Sequence, residues 1–185
     1  MRFLSREDVE GLLDMRTCID TMRGAFLTVA EGKVQAPART VIRVEELGGF
    51  VGSMPVYAAG FGSAAKVMTI YPGNHDAGMA SHQGYILLFA EERGESIALV
   101  EAGSITELRT AAVSGLATEI LANSDAETLC ILGSGVQARS HVKAMRCVRE
   151  IRSIQIWKSY ARKRREVCAL GKDRDGDRDN HNGNC

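Results

Sequence analysis

Hydrophobic positions recur at helical spacing over roughly the first thirty residues, then shift to the short runs typical of strands. Val9, Leu12 and Leu13 follow Ser5, a candidate N-cap with Asp8 three residues later. Asp14 opens a second helix with an apolar stripe of Cys18, Ile19, Met22, Ala25, Phe26 and Val29, read as core, and Gly32 stands where a C′ glycine would end it. Pro37 begins a different texture. Thr40–Val44 and Phe50–Tyr57 read as strands on either side of Gly48-Gly49, and Lys66–Tyr71 as another. A polar loop runs from Gly73 to Gly84. Tyr85–Phe89 and Ser96–Val100 form a strand pair turning at Arg93-Gly94. Thr106 is then the N-cap of a helix reaching about Ala122, whose small residues Ala111, Ala112, Ser114, Gly115 and Ala117 predict close packing on a neighbour.

A second texture begins near Asp125. Thr128–Leu132 reads as a buried strand, Gly133-Ser134-Gly135 as a turn, Val136–Val148 as a helix and Ser153–Trp157 as a second strand. Strand, glycine turn, helix, strand is one βαβ unit of a parallel sheet. After Leu170 the only hydrophobic residue is Cys185, and the Asp/Arg/Gly/Asn-rich tail lacks the apolar surface to offset its ordering entropy. The fold expected is α/β: a mixed α+β dimerisation and substrate domain over 1–124, the start of a Rossmann-type parallel sheet over 125–158, and a divergent, disordered tail over 159–185.

Composition narrows the function classes. Lys plus Arg and Asp plus Glu both number 23, so the formal net charge is zero and nothing draws the chain globally toward nucleic acid or an anionic membrane. The stretch Tyr85–Ala90 is far too short to span a bilayer. Five cysteines without a CxxC pair, and four scattered histidines, read as reduced thiols in a cytoplasmic protein without a zinc site.

The chemistry begins at Gly133-x-Gly135-x-x-Ala138, directly between a strand and a helix. The first glycine permits the tight turn, the second lets backbone approach a pyrophosphate, and the small third residue allows helix and sheet to pack closely. N–H groups at the helix start then face phosphate. The alternative is a turn that needs glycine for geometry alone. An NAD-selective site usually has an acidic residue at the end of the second strand. Here Lys158, Ser159 and Arg162 stand there instead, which tips the expected NAD(P) preference slightly toward NADPH. That basic run is equally readable as a solvated helix start, and it lacks the interleaved aromatics of a nucleic-acid patch.

Three cations stand out as anion partners. Lys66 lies in Phe61–Ile70, a stretch otherwise almost free of charge, and reads either as a partner for a substrate carboxylate or as an edge-strand lysine snorkelling to water. Arg109 has no carboxylate three or four residues away, so it is open to bidentate carboxylate or phosphate binding or to a long-range salt bridge. Arg39 follows Pro37 in a strand context and is uninformative alone.

With these pieces placed, the chain resembles the ornithine cyclodeaminase/μ-crystallin family. The resemblance rests on Gly52-Ser-Met54-Pro55-Val-Tyr57, on Lys66-Val-Met-Thr-Ile-Tyr-Pro72-Gly-Asn74, on Glu107-Leu-Arg109-Thr110-Ala111-Ala112 and on Gly133–His141, in unbroken order from about Leu4 to Trp157. It implies an NAD(P)-binding Rossmann domain joined to a dimer-forming catalytic domain that acts on small α-amino or cyclic α-imino acids. By resemblance, Arg39, Lys66 and Arg109 bind substrate, with Lys66 beside the reacting carbon as the catalytic residue. Ser81, Arg109, Thr110, Gly133, Gly135, Val136 and Gln137 meet the cofactor, with Lys158 added from the basic run. Ornithine cyclodeaminases carry a glutamate two residues before the Met-Pro pair, where this chain has Gly52, so the expectation is a reductase or dehydrogenase of a smaller amino or imino acid. Cyclodeamination of ornithine and non-catalytic, μ-crystallin-like ligand binding stay open as alternatives. The catalytic aspartate of the cyclodeaminases belongs to the later Rossmann half, so the chain as it stands is expected to be truncated and inactive.

Overall fold

The computed structural model describes residues 1–157; the expectations placed on Lys158, on the basic run behind it and on the tail lie outside the described residues. The chain gathers into two compact units, one of Met1–Asp14 with Gly24–Thr106, the other of Met15–Arg23 with the chain from Glu107 on. The sequence-based division follows motifs, whereas these units follow packing and cut within two helices.

The first unit is built on a mixed sheet. Its elements are β1 (Arg2–Leu4), α1 (Arg6–Leu12), the second part of α2 (Met15–Ala30), β2 (Val34–Gln35), β3 (Thr40–Val44), β4 (Gly49–Ala58), β5 (Gly62–Ile70), β6 (His82–Phe89) and β7 (Ser96–Glu101). The strand order is β1-β7-β6-β5-β4-β2, with β3 also on β4. Only the β1–β7 pairing is parallel. The short strands β1 and β2 carry too few residues to show alternation. Ser5 and Asp8 form the expected capping box of α1, with Asp8 N–H donating to Ser5 Oγ (3.2 Å) and Ser5 N–H to Asp8 Oδ2 (2.8 Å).

Register separates the two faces of this sheet. Lys66 on β5 lies between Met54 on β4 and Ile86 on β6. Its neighbours Val67 and Tyr85 are paired on the opposite face, in line with Val51 and Ile42 one row over. That opposite face is apolar and open: Ile42, Val67, Tyr85 and Phe3 are all exposed, and the rings of Phe3 and Tyr85 lie 6.0 Å apart.

One helix starts earlier than its sequence suggests. α3 runs Ala102–Leu121, so Thr106 lies inside it and is not its N-cap. The cap is Glu101: its carboxylate accepts the Gly103 N–H (2.6 Å), the Ser104 N–H (2.8 Å) and the Ser104 hydroxyl (2.7 Å). An anionic side chain here satisfies orphan donors and complements the helix dipole. Thr106 uses its hydroxyl on the Ala102 carbonyl one turn back (2.6 Å).

The second unit holds the parallel strands β8 (Thr128–Leu132) and β9 (Ser153–Trp157), joined through α4 (Val136–Val148). All three elements occupy the residues expected. α4 buries Ala138 and Val142 with Ile156, against which Leu129, Ile131 and Ile154 pack. The small residues of α3 do allow close packing: a Cβ on Gly115 would lie 3.1 Å from Ile19 Cδ1 and 3.3 Å from Ala144 Cβ. Arg149 closes the C-terminus of α3, donating to the carbonyls of Thr118 (2.9 Å), Ala122 (2.7 Å) and Asn123 (2.9 Å). The stripe of α2 is core only in its first half: Cys18 and Ile19 are buried, while Phe26 and Val29 are exposed. No helix among the described residues is long and apolar enough to cross a membrane.

Candidate functional site

In the first unit the leading candidate read from the sequence is Lys66. It is half-buried on β5, and its Nζ donates to Thr106 Oγ1 at 2.6 Å. Arg39 is exposed and directly precedes β3, whose Thr40 pairs with Ser53. Gly52 lies two residues from Met54 and pairs with Met68, so its missing side chain would stand on the Lys66 face. A Cβ there would meet Met68 Cε at 3.5 Å, an ordinary contact. Also on this face, His82 Nε2 lies 3.0 Å from Met68 Sδ. Ser81 is half-buried ahead of β6, its carbonyl accepting the Tyr71 N–H (2.9 Å).

The second unit contains the glycine turn. Gly133 adopts φ +115°, a conformation L side chains rarely take, and its N–H donates to the Trp157 carbonyl (3.0 Å), tying the turn to β9. Gly135 is the N-cap of α4 and offers no side chain; the Ala138 N–H donates to the Gly135 carbonyl (3.1 Å), and no side chain caps the Val136 and Gln137 N–H groups. A Cβ at Gly135 would meet nothing within 4 Å, which marks open space over the helix start. Between the glycines, the Ser134 hydroxyl is buried and finds no hydrogen-bond partner among the described residues. An orphaned polar group beside a helix N-terminus fits an oxygen-rich anion such as a pyrophosphate.

A cleft of about 480 Å³ opens beside this turn, lined by Ser114, Ile131, Gly133, Gly135, Gln137 and His141 among others. Three of the cofactor residues read from sequence therefore share one cleft. Val136 is exposed and does not line it. Arg109 is exposed and Thr110 half-buried on α3, one turn before Ser114. Neither Arg39 nor Arg109 forms an ion pair among the described residues. His141 was visible only as the end of a motif. Its Nδ1 lies 2.7 Å from the Gln137 carbonyl, and a carbonyl can only accept, so that nitrogen carries the hydrogen. The signal was present in the spacing of Gln137 and His141, four residues apart on one helix face.

A mixed-sheet unit bearing a half-buried lysine, together with a strand–glycine turn–helix–strand unit, defines an α/β protein with the start of a Rossmann-type sheet. The chain belongs to the ornithine cyclodeaminase/mu-crystallin family, which it matches over residues 1–174. That match extends past Trp157, further than the motifs alone carry it. The chain is 35% identical over 160 residues to the ketimine reductase mu-crystallin of Mus musculus, covering 84% of this chain and 51% of the relative. Among solved structures it resembles the Δ1-pyrroline-2-carboxylate reductase of Thermococcus litoralis in complex with NADH and L-proline (TM-score 0.87, 37% identity, covering 92% of this chain and 55% of that one). It also resembles an archaeal alanine dehydrogenase dimer with bound NAD (TM-score 0.88, 28% identity, covering 94% and 53%). The chain thus spans about half the length of these relatives.

Proposed function

We propose that this chain supplies the substrate-binding unit and the first dinucleotide-binding element of an NAD(P)-dependent oxidoreductase acting on small cyclic α-imino or α-amino acids. The observation that carries the reading is the turn at Gly133–Gly135: glycine at positive φ, a helix N-terminus in open space, and the buried, unpartnered Ser134 hydroxyl, all between parallel strands. Names borne by relatives, among them ketimine reductase, pyrroline-2-carboxylate reductase and alanine dehydrogenase, point to the same class.

In this reading, a bound nicotinamide supplies the hydride that reduces the imine carbon. The chain's own residues bind and orient. Gly133, Gly135, Val136 and Gln137 hold the pyrophosphate region, with Ser81, Arg109 and Thr110 as further cofactor contacts. Lys66, Arg39 and Arg109 hold the substrate carboxylate, and Lys66 sits beside the reacting carbon. Gly52 in place of a glutamate disfavours a substrate with a distal amine. The partner is a second copy of the chain: the open apolar face bearing Ile42, Val67, Tyr85 and Phe3 is suited to burial in a homodimer.

The test is to titrate the 185-residue chain with NADPH and NADH by fluorescence, then assay reduction of Δ1-pyrroline-2-carboxylate. Binding of NADPH somewhat tighter than NADH is expected, since Lys158 and Ser159 follow β9 where an NAD site would have a carboxylate. Absence of binding to either cofactor overturns the reading. Cofactor binding without turnover fits the inactivity expected of the 185-residue chain, and measured turnover overturns that expectation.

A further inference from the structure

Lys66 is held by a hydroxyl whose own hydrogen is already committed. Its Nζ lies 2.6 Å from Thr106 Oγ1, and the Thr106 hydroxyl donates to the Ala102 carbonyl, also at 2.6 Å. A threonine has one O–H hydrogen and two lone pairs. With that hydrogen directed into the helix backbone, Thr106 faces Lys66 only as an acceptor. Glu101 fixes this arrangement from below. Its carboxylate clamps Gly103 and Ser104 in the first turn of α3, the turn from which the Ala102 carbonyl rises to meet Thr106.

We propose that Thr106 is a positioning residue for Lys66, a relay from the Glu101-capped turn that sets where the amine stands on the sheet face. The purpose assigned to it, presenting Lys66 to a substrate carboxylate, rests on the function proposed above. The contact takes up one of the three ammonium hydrogens and fixes its direction. The Thr106 hydroxyl itself is neutral, so this contact orients the amine without a charge of its own. A lysine tail has rotamer entropy to lose, and holding it in advance removes that cost from ligand binding.

The experiment reads the amine directly. The 185-residue chain is acetylated with limiting acetic anhydride, and modification of Lys66 relative to exposed Lys33 and Lys143 is measured by mass spectrometry. Wild type is compared with Thr106→Val, which keeps the shape and loses the acceptor, with Thr106→Ala, and with Thr106→Ser, which keeps the hydroxyl; circular dichroism checks each fold. Lys66 is expected to be modified about fivefold faster in the Val and Ala variants and at the wild-type rate in Thr106→Ser, the loss of one hydrogen bond setting the scale. Equal Lys66 rates in wild type, Val and Ala overturn the proposal, as does a Thr106→Ser rate matching Val. A parallel titration with L-proline in the presence of NADH separates the two claims. If labelling responds as expected while wild type binds no L-proline, Thr106 positions Lys66 and the substrate reading fails. If both hold, the Val variant binds L-proline roughly fivefold to tenfold more weakly.

Discussion

His141 on α4 and Ser114 on α3 are joined side chain to side chain, Nε2 to Oγ at 3.0 Å. Because Nδ1 carries the hydrogen that meets the Gln137 carbonyl, the neutral ring accepts from Ser114 at Nε2. The Thr110 carbonyl, 3.4 Å from the same hydroxyl, is its alternative acceptor. Each of His141→Ala and Ser114→Ala should lower stability by about 1 kcal/mol, and the double variant should cost less than the sum. Urea denaturation of all four proteins measures the coupling; strict additivity would show the bond contributes nothing.

Gly133 tests the turn. Its φ of +115° penalises any L side chain, yet a Cβ would strike nothing within 4 Å. Gly133→Ala should therefore cost about 1–3 kcal/mol through backbone strain alone, and weaken NADH or NADPH binding if the turn shifts to relieve it. Thermal unfolding and fluorescence titration read the two effects separately. An unchanged melting temperature would contradict the strained conformation.

Acid should loosen the start of α3. Burial tends to raise the Glu101 carboxyl, but hydrogen bonds from the Ser104 N–H and hydroxyl and the Gly103 N–H, with the Arg6 guanidinium nearby, outweigh it and hold the group below its ordinary value of 4.5. A carboxylate with a depressed folded pKa contributes stability that is present above 4.5 and lost as pH falls through the folded value. Glu101→Gln should thus lower stability near neutrality and narrow its gap to wild type in strong acid. Acid titration followed by circular dichroism checks this, and parallel curves for the two proteins would remove the capping argument.

Gly52→Glu probes substrate size. The position pairs with Met68 on the face that carries Lys66, and a Cβ fits at ordinary contact distance. A carboxylate placed there should raise affinity for ornithine relative to proline, by about tenfold if it gains a charged hydrogen bond. Competition between the two amino acids in a binding assay measures it; an unchanged ratio would separate Gly52 from the substrate's distal end.

Much of this architecture was legible from residue pattern. Thr128–Leu132, Val136–Val148 and Ser153–Trp157 carry strong local signals: β-branched runs, glycine at the turn and a helical apolar face. β1 and β2 were not legible because a strand of two or three residues is defined by its partner's hydrogen bonds. The start of α3 was missed because a glutamate outside the helix does the capping, while Thr106, a good cap by type, turns its hydroxyl inward. The site divides in the same way. Lys66 and the glycines announce themselves by charge and by backbone geometry. The row that sets Met54 beside Lys66 depends on register, and the Ser114–His141 bond on residues 27 positions apart.

The open face of the first unit's sheet has a consequence for how the protein's stability is to be measured. In the homodimer proposed above, covering Ile42, Val67, Tyr85 and Phe3 would add a mass-action term to folding, because a dimeric native state is populated according to the concentration of chains as well as the strength of their contacts. For such a dimer the melting temperature would belong to a solution of stated concentration: dilution would lower it, and a charge placed at Val67 would make it independent of dilution at a lower value.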